Sequence, residues 1–142
     1  MSGLGGSVDR VSSEAFEGSV YDTVGGRPFF VDLVDGFYAG VSADLLLRPL
    51  YPEDLTDSRR HLTGFLTQYW GGPSTYSEER GHPRLRMRHA PFAIGDEERD
   101  AWLRHMLGSL DAVVATRGTP MDAVVRIRSY LTDVADFLVN TR

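Results

Sequence analysis

Between Gly71 and Gly95 the chain passes through four glycines and three prolines, and on either side of that stretch the apolar residues recur with helical period. Glycine loosens the backbone and proline removes a donor, so the stretch reads as loop with at most a short helix around Arg84 to His89. Upstream, after the breaker "VGGRP", Phe30, Leu33, Val34, Phe37, Tyr38 and Val41 form one helical stripe. Leu62, Phe65, Leu66 and Tyr69 form a second. Between the two, Asp44 can cap a short turn, Pro49 and Pro52 forbid a long helix, and Thr56 or Asp57 can cap the next. Downstream, Gly95 with Glu98 can open a long helix carrying Trp102, Met106, Leu110 and Val113. Thr119 as cap and Pro120 as first residue can start the last, with Val124, Ile127, Leu131, Val134 and Leu138 on one face. No segment reads as a strand. Four amphipathic helices by themselves suggest a bundle, but bundle connections run to roughly 2–8 residues. A connection this long inside an all-α domain points to function at the connection itself.

At 142 residues the chain can bury one sizeable core. Residues 1–13, rich in Gly and Ser, read as a flexible extension, and 14–142 as a single domain. The absence of cysteine excludes disulfides, thiolate metal sites and thiol nucleophiles. A formal net charge of −5 argues against a nucleic-acid partner. No apolar run reaches the roughly 20 residues that cross a bilayer, so no membrane association and a cytoplasmic location are expected.

Within the long connection, "GHPRLRMRHAPF" gathers three arginines around a histidine in an acidic chain. His89 falls at the end of the short helix beside Leu85, Phe92 and Ile94. It can be a core-edge histidine bonded to a backbone carbonyl, or an axial ligand to an iron. Arg84, Arg86 and Arg88 form either a solvated face or a seat for carboxylates. His61 and His105 sit among charged neighbours and read as solvent-facing, and His82 as a loop-packing residue before Pro83. No His-Glu-x-x-His spacing supports a zinc site. Tyr38, Tyr51 and Trp102 adjoin apolar helix positions, and together their O–H and N–H groups could converge on a small guest.

Through "FYAGV", "LRPLYPED", "QYWGGPSTYSEERGHPRLRMRHAPF" and "ERDAWLRHM", the chain resembles the group II truncated haemoglobins, over roughly Tyr21 to Leu110. The resemblance implies a two-over-two sandwich of α-helices around haem b, with an extended loop and a short helix carrying the proximal histidine. By motif, His89 is similar to the proximal iron ligand, and Tyr38, Tyr51 and Trp102 to the distal hydrogen-bonding residues. Ser58 and Leu62 fall at distal positions above the iron. Phe65, Trp70, Tyr76, His82, Leu85, Arg86, Phe92 and Met106 are similar to other haem contacts, with Arg86 the expected partner of a propionate. The Gly25-Gly26 and Gly71-Gly72 pairs resemble the family's turn glycines.

The resemblance implies reversible binding of O2 and other small ligands (CO, NO, cyanide or sulfide) with slow release. The alternative it leaves open is a haem redox enzyme, a peroxidase or a nitric oxide detoxifier. From the residues alone, a haem-free helical module that binds a partner protein also stands. A reductase and a second copy of the chain are candidate partners.

Overall fold

Proline beside two glycines fixes where the first long helix begins. In the computed structural model, which describes residues 18–141, Pro28 occupies the opening turn of helix α2 (Arg27–Ser42). The extension expected over 1–13 lies outside the described residues. Helix α1 (Val20–Thr23) precedes α2 and is tied by Tyr21 N–H to the Trp70 carbonyl at 2.9 Å. A 3-10 turn (Arg48–Leu50), α3 (Thr56–Tyr69), α4 (Thr75–Arg80), α5 (Leu85–His89), α6 (Asp96–Arg117) and α7 (Met121–Phe137) follow. Among the described residues there is no strand, and no helix is long and apolar enough to cross a membrane.

The stripes pack as their spacing requires. Helix α2 buries Phe29, Phe30, Leu33, Val34, Phe37, Tyr38 and Val41, and it lies against both α3 and α6, while α6 lies against α7. One layer is therefore α2 with α3 and the other α6 with α7, a two-over-two sandwich. The contact of α2 with α6 runs along Gly36 and Gly40. A Cβ at Gly36 would overlap the Ser109 side chain, and one at Gly40 the His105 ring. The proximity lets Ser109 Oγ donate to the Leu33 carbonyl at 2.7 Å, a buried hydrogen bond between the layers.

Capping departs from expectation in two places. Thr56 is the first helical residue of α3, and the group that receives its N–H is Asp54 Oδ1 at 2.9 Å. Helix α7 begins at Met121 with Pro120 as its cap, one residue later than the Thr119 cap implied. Elsewhere the expectation holds: Asp44 Oδ1 accepts from Leu46 and Leu47 N–H, and Glu98 Oε1 from Gly95 N–H at 2.8 Å.

The segment from Gly71 to Gly95 holds two short helices rather than one. Six residues cannot sustain a helix in water, and α4 is held from outside. Tyr76 is buried edge-on against Phe65 at 5.6 Å between centroids. Gln68 brackets Ser77, its Oε1 accepting from the Ser77 N–H at 2.9 Å and its Nε2 donating to Ser77 Oγ at 2.7 Å.

Candidate ligand-binding cavity

Helices α2, α3, α6 and α7 and the α4–α5 segment surround a cavity of about 380 Å³ with a mostly apolar wall. That is a volume typical of small-molecule sites. One wall of it is the end of α5. His89 Nδ1 lies 2.7 Å from the Leu85 carbonyl, four residues back. A carbonyl can only accept, so Nδ1 donates its hydrogen there, and Nε2 is the ring nitrogen left to ligate a metal. The two readings left open for His89 are thus compatible: one ring nitrogen meets a carbonyl and the other stays available.

A five-residue helix needs external support. Arg88 Nε donates to the Pro83 carbonyl at 2.7 Å and its Nη2 to the Arg80 carbonyl at 3.1 Å, binding α5 to the turn before it. Arg88 is therefore a strut of the loop, which is neither of the two roles left open for it. Asn140 holds the other side. Its Oδ1 accepts from Ile94 N–H at 2.9 Å and its Nδ2 donates to the Phe92 carbonyl at 2.9 Å.

Tyr38 from α2, Tyr51 after the 3-10 turn, and Trp102 from α6 all line the cavity, with Ser58 and Leu62 of α3. The Tyr38 and Tyr51 rings meet edge-on at 5.5 Å, and Phe37 packs between Tyr38 and Trp102 at 4.9 and 5.4 Å. Burial pushes the Tyr38 hydroxyl well above the ordinary phenol range, and neighbouring Tyr51 adds to the shift while a hydrogen bond with Ser58 opposes it. Burial likewise raises Tyr51 to about 12, against a hydrogen bond with Trp102. Both phenols stay protonated and remain donors at neutral pH.

Phe65, Tyr76, Leu85, Phe92 and Met106 complete the predicted wall. Trp70, His82 and Arg86 do not line it. Trp70 is buried against Tyr69 and Tyr130, with Arg126 over its ring at 5.5 Å. His82 Nδ1 accepts from the Arg84 N–H at 3.2 Å in the turn before α5. Arg86 stacks over the Phe137 ring at 5.0 Å on the outside of α5. Neither His61 nor His105 is a plain surface histidine, as both were expected to be. His105 is only 20% exposed and its Nε2 lies 2.6 Å from Asp44 Oδ2. His61 lines the cavity and receives Arg80 Nη1 on its Nδ1 at 2.6 Å. Helical spacing, three residues past Ser58 and four before Phe65, could have placed His61 on this face. Nothing local marks Arg80 or Arg99, which also line the cavity.

Haem, a broad apolar ring with a central iron and two carboxylates, fits this chemistry. The wall is apolar, one imidazole keeps a free Nε2, and Arg80 presents a buried Nε with no partner among the described residues. Such an orphaned N–H asks for an acceptor that the protein itself does not provide.

Helical layers enclosing such a pocket define a globin of the shortened, two-over-two kind. Residues 19–135 match the bacterial-like globin family, and the chain belongs to it. It is 48% identical over 93 residues to the group 2 truncated haemoglobin YjbI of Bacillus subtilis, covering 66% of this chain and 70% of that one. The crystal structure of a haemoglobin from Chloroflexus aurantiacus superposes with a TM-score of 0.83 at 50% identity, over 87% of this chain and 99% of that one. That of a truncated oxygen-avid haemoglobin from Bacillus subtilis gives 0.78 at 41% identity, over 86% and 99%. Within the family the chain is a group II truncated haemoglobin, and the cofactor is haem b.

Proposed function

We propose that the chain binds O2 and other small haem ligands, CO, NO, cyanide or sulfide, reversibly and releases them slowly, with His89 as the axial ligand of the iron. Bound haem would supply an iron with one coordination position left for a small molecule. The protein's part is the environment of that position. The observation that carries the reading is that Tyr38, Tyr51 and Trp102 converge from three separate elements on the cavity that His89 lines. Three donors in an apolar, water-poor space interact with a partly negative guest far more strongly than they would in water. With their values raised by burial, both phenols are neutral donors at neutral pH. Among the relatives, the Bacillus subtilis protein is described as oxygen-avid, which agrees with this reading.

Replacing the indole removes one donor and leaves an apolar wall. Trp102→Leu is expected to speed O2 dissociation by roughly five- to tenfold, since one lost hydrogen bond is worth about 1–1.5 kcal/mol and 1.4 kcal/mol is tenfold. Stopped-flow displacement of O2 by CO measures it. An off-rate equal to that of the unaltered chain would remove Trp102 from ligand control.

A further inference from the structure

Three arginines line the cavity, and they differ in what already occupies them. Arg99 meets Asp96, Asp100 and Asp136 at 3.6, 3.1 and 2.8 Å. Arg88 is spent on two backbone carbonyls. Arg80 has no acidic partner among the described residues. Its Nη1 donates to His61 Nδ1 at 2.6 Å, its guanidinium carbon stands 5.9 Å from the Tyr76 ring centre, and its Nε is buried and unpaired. With Nη1 turned to His61, the Nε edge of the guanidinium is left for a planar two-oxygen acceptor.

His61 faces an unusual balance of charge. Arg80 Nη1 of α4 lies 2.6 Å from the ring's Nδ1 and 3.1 Å from its Nε2, and Arg60 of its own helix reaches to 3.5 Å of the same Nε2. Against them stand Asp57 on α3 and Glu79 on α4, and Glu79 is itself paired with Arg60 at 2.5 Å. Arg88 of α5 touches this corner only through the Arg80 carbonyl. Burial first, then the Arg80 and Arg60 charges, hold the imidazole below its ordinary value. It accepts from Arg80 and is neutral as the cavity stands.

We propose that His61 and Arg80 form the seat of one haem carboxylate, and that haem binding there draws a proton onto His61. The inference rests on the haem reading above. A carboxylate on the Nε edge of Arg80 satisfies the orphaned N–H and cancels the field that keeps His61 neutral. The imidazole then gains by taking a proton and donating to the carboxylate instead of accepting from Arg80. Linkage gives the sign. His61 binds a proton more tightly with haem than without, so the gain in haem affinity is complete below the haem-free value and is lost as pH rises through the complexed one. The size is about tenfold in affinity per unit separating the two values.

The test is haem release from the reconstituted protein to an excess of a scavenging apoglobin, followed in the Soret band between about pH 6 and 8. The unaltered chain is expected to release haem roughly three- to tenfold faster at the upper end. His61→Gln is expected to flatten that dependence, and Arg80→Gln to speed release across the range. Iron protoporphyrin IX dimethyl ester, which has no carboxylate charge, should show no such dependence even in the unaltered chain. A His61→Gln profile as steep as the original overturns the proposal, as does faster release from Arg86→Gln with none from Arg80→Gln. A protein that takes up no haem at all and shows no Soret band overturns the haem reading instead, so the two failures are distinct.

Discussion

Asp44 joins the turn after α2 to the helix that carries Trp102. One carboxylate oxygen accepts from the Leu46 and Leu47 N–H groups at 2.8 and 3.1 Å, and the other meets His105 Nε2 at 2.6 Å and Arg104 Nη2 at 3.5 Å. The His105 hydrogen bond chiefly, and then the Leu47 N–H, hold the carboxyl below its ordinary 3.8. A lowered acid contributes stability that is complete above the unfolded value and is lost as pH falls through the folded one. The contribution therefore disappears below pH 3.8. Asp44→Asn is expected to lower Tm at neutral pH and to shallow the acid limb of a Tm-against-pH curve. An acid limb as steep as in the unaltered chain would deny the pair its role. At this scale the sequence offered His89, Tyr38, Tyr51 and Trp102 as candidates through the family resemblance, while type and spacing left each of them open, and the structure brings all four to one cavity. The Asp44–His105 and His61–Arg80 pairs were not legible in it, because their members lie 61 and 19 residues apart and meet only through packing.

Two elements are supported from outside themselves. Helix α2 rests on α6 across Gly36, where Ser109 fills the space a Cβ would need and bonds to Leu33. Gly36→Ala should force the layers apart and cost about 1–3 kcal/mol in urea unfolding, the usual penalty of overpacking. Stability within a few tenths of the original would show the interface to be looser than the contact implies. The proximal loop depends in turn on Asn140, which caps Ile94 N–H and the Phe92 carbonyl. Asn140→Ala removes two exposed hydrogen bonds, at about 0.5–1 kcal/mol each, and on the proposed reading the loosened loop should give faster haem transfer to an acceptor. Of the elements, the four long helices were legible from their 3.6-residue stripes. Helix α4 was not, since a six-residue helix has no period to read and exists through Tyr76 and Gln68. Helix α5 was read as helical from its sequence, while its struts Arg88 and Asn140 were invisible there.

At the scale of the whole molecule, the cavity is walled by residues of every long helix, so what fills it bears on the entire fold. Haem binding the folded chain alone stabilises it by mass action, about 4 kcal/mol when free haem exceeds its dissociation constant a thousandfold. For a chain of this size that raises Tm by about 10 °C or more. Calorimetry of the apo and reconstituted protein reads the difference, and equal melting would count against a cofactor shared by both layers. The all-α class, the breakers that end each helix and the residue types able to ligate iron or donate to its guest were determined by the sequence alone. These are local properties, set by periodicity, glycine and proline dihedrals and side-chain chemistry. Which basic groups face the cavity was decided only by the tertiary structure. Arg86 and Arg80 are indistinguishable as letters, yet one stacks outside on Phe137 and the other turns in beside His61. A stripe fixes a helix face, but the direction of a side chain in a short, externally held segment follows from backbone angles that distant hydrogen bonds impose.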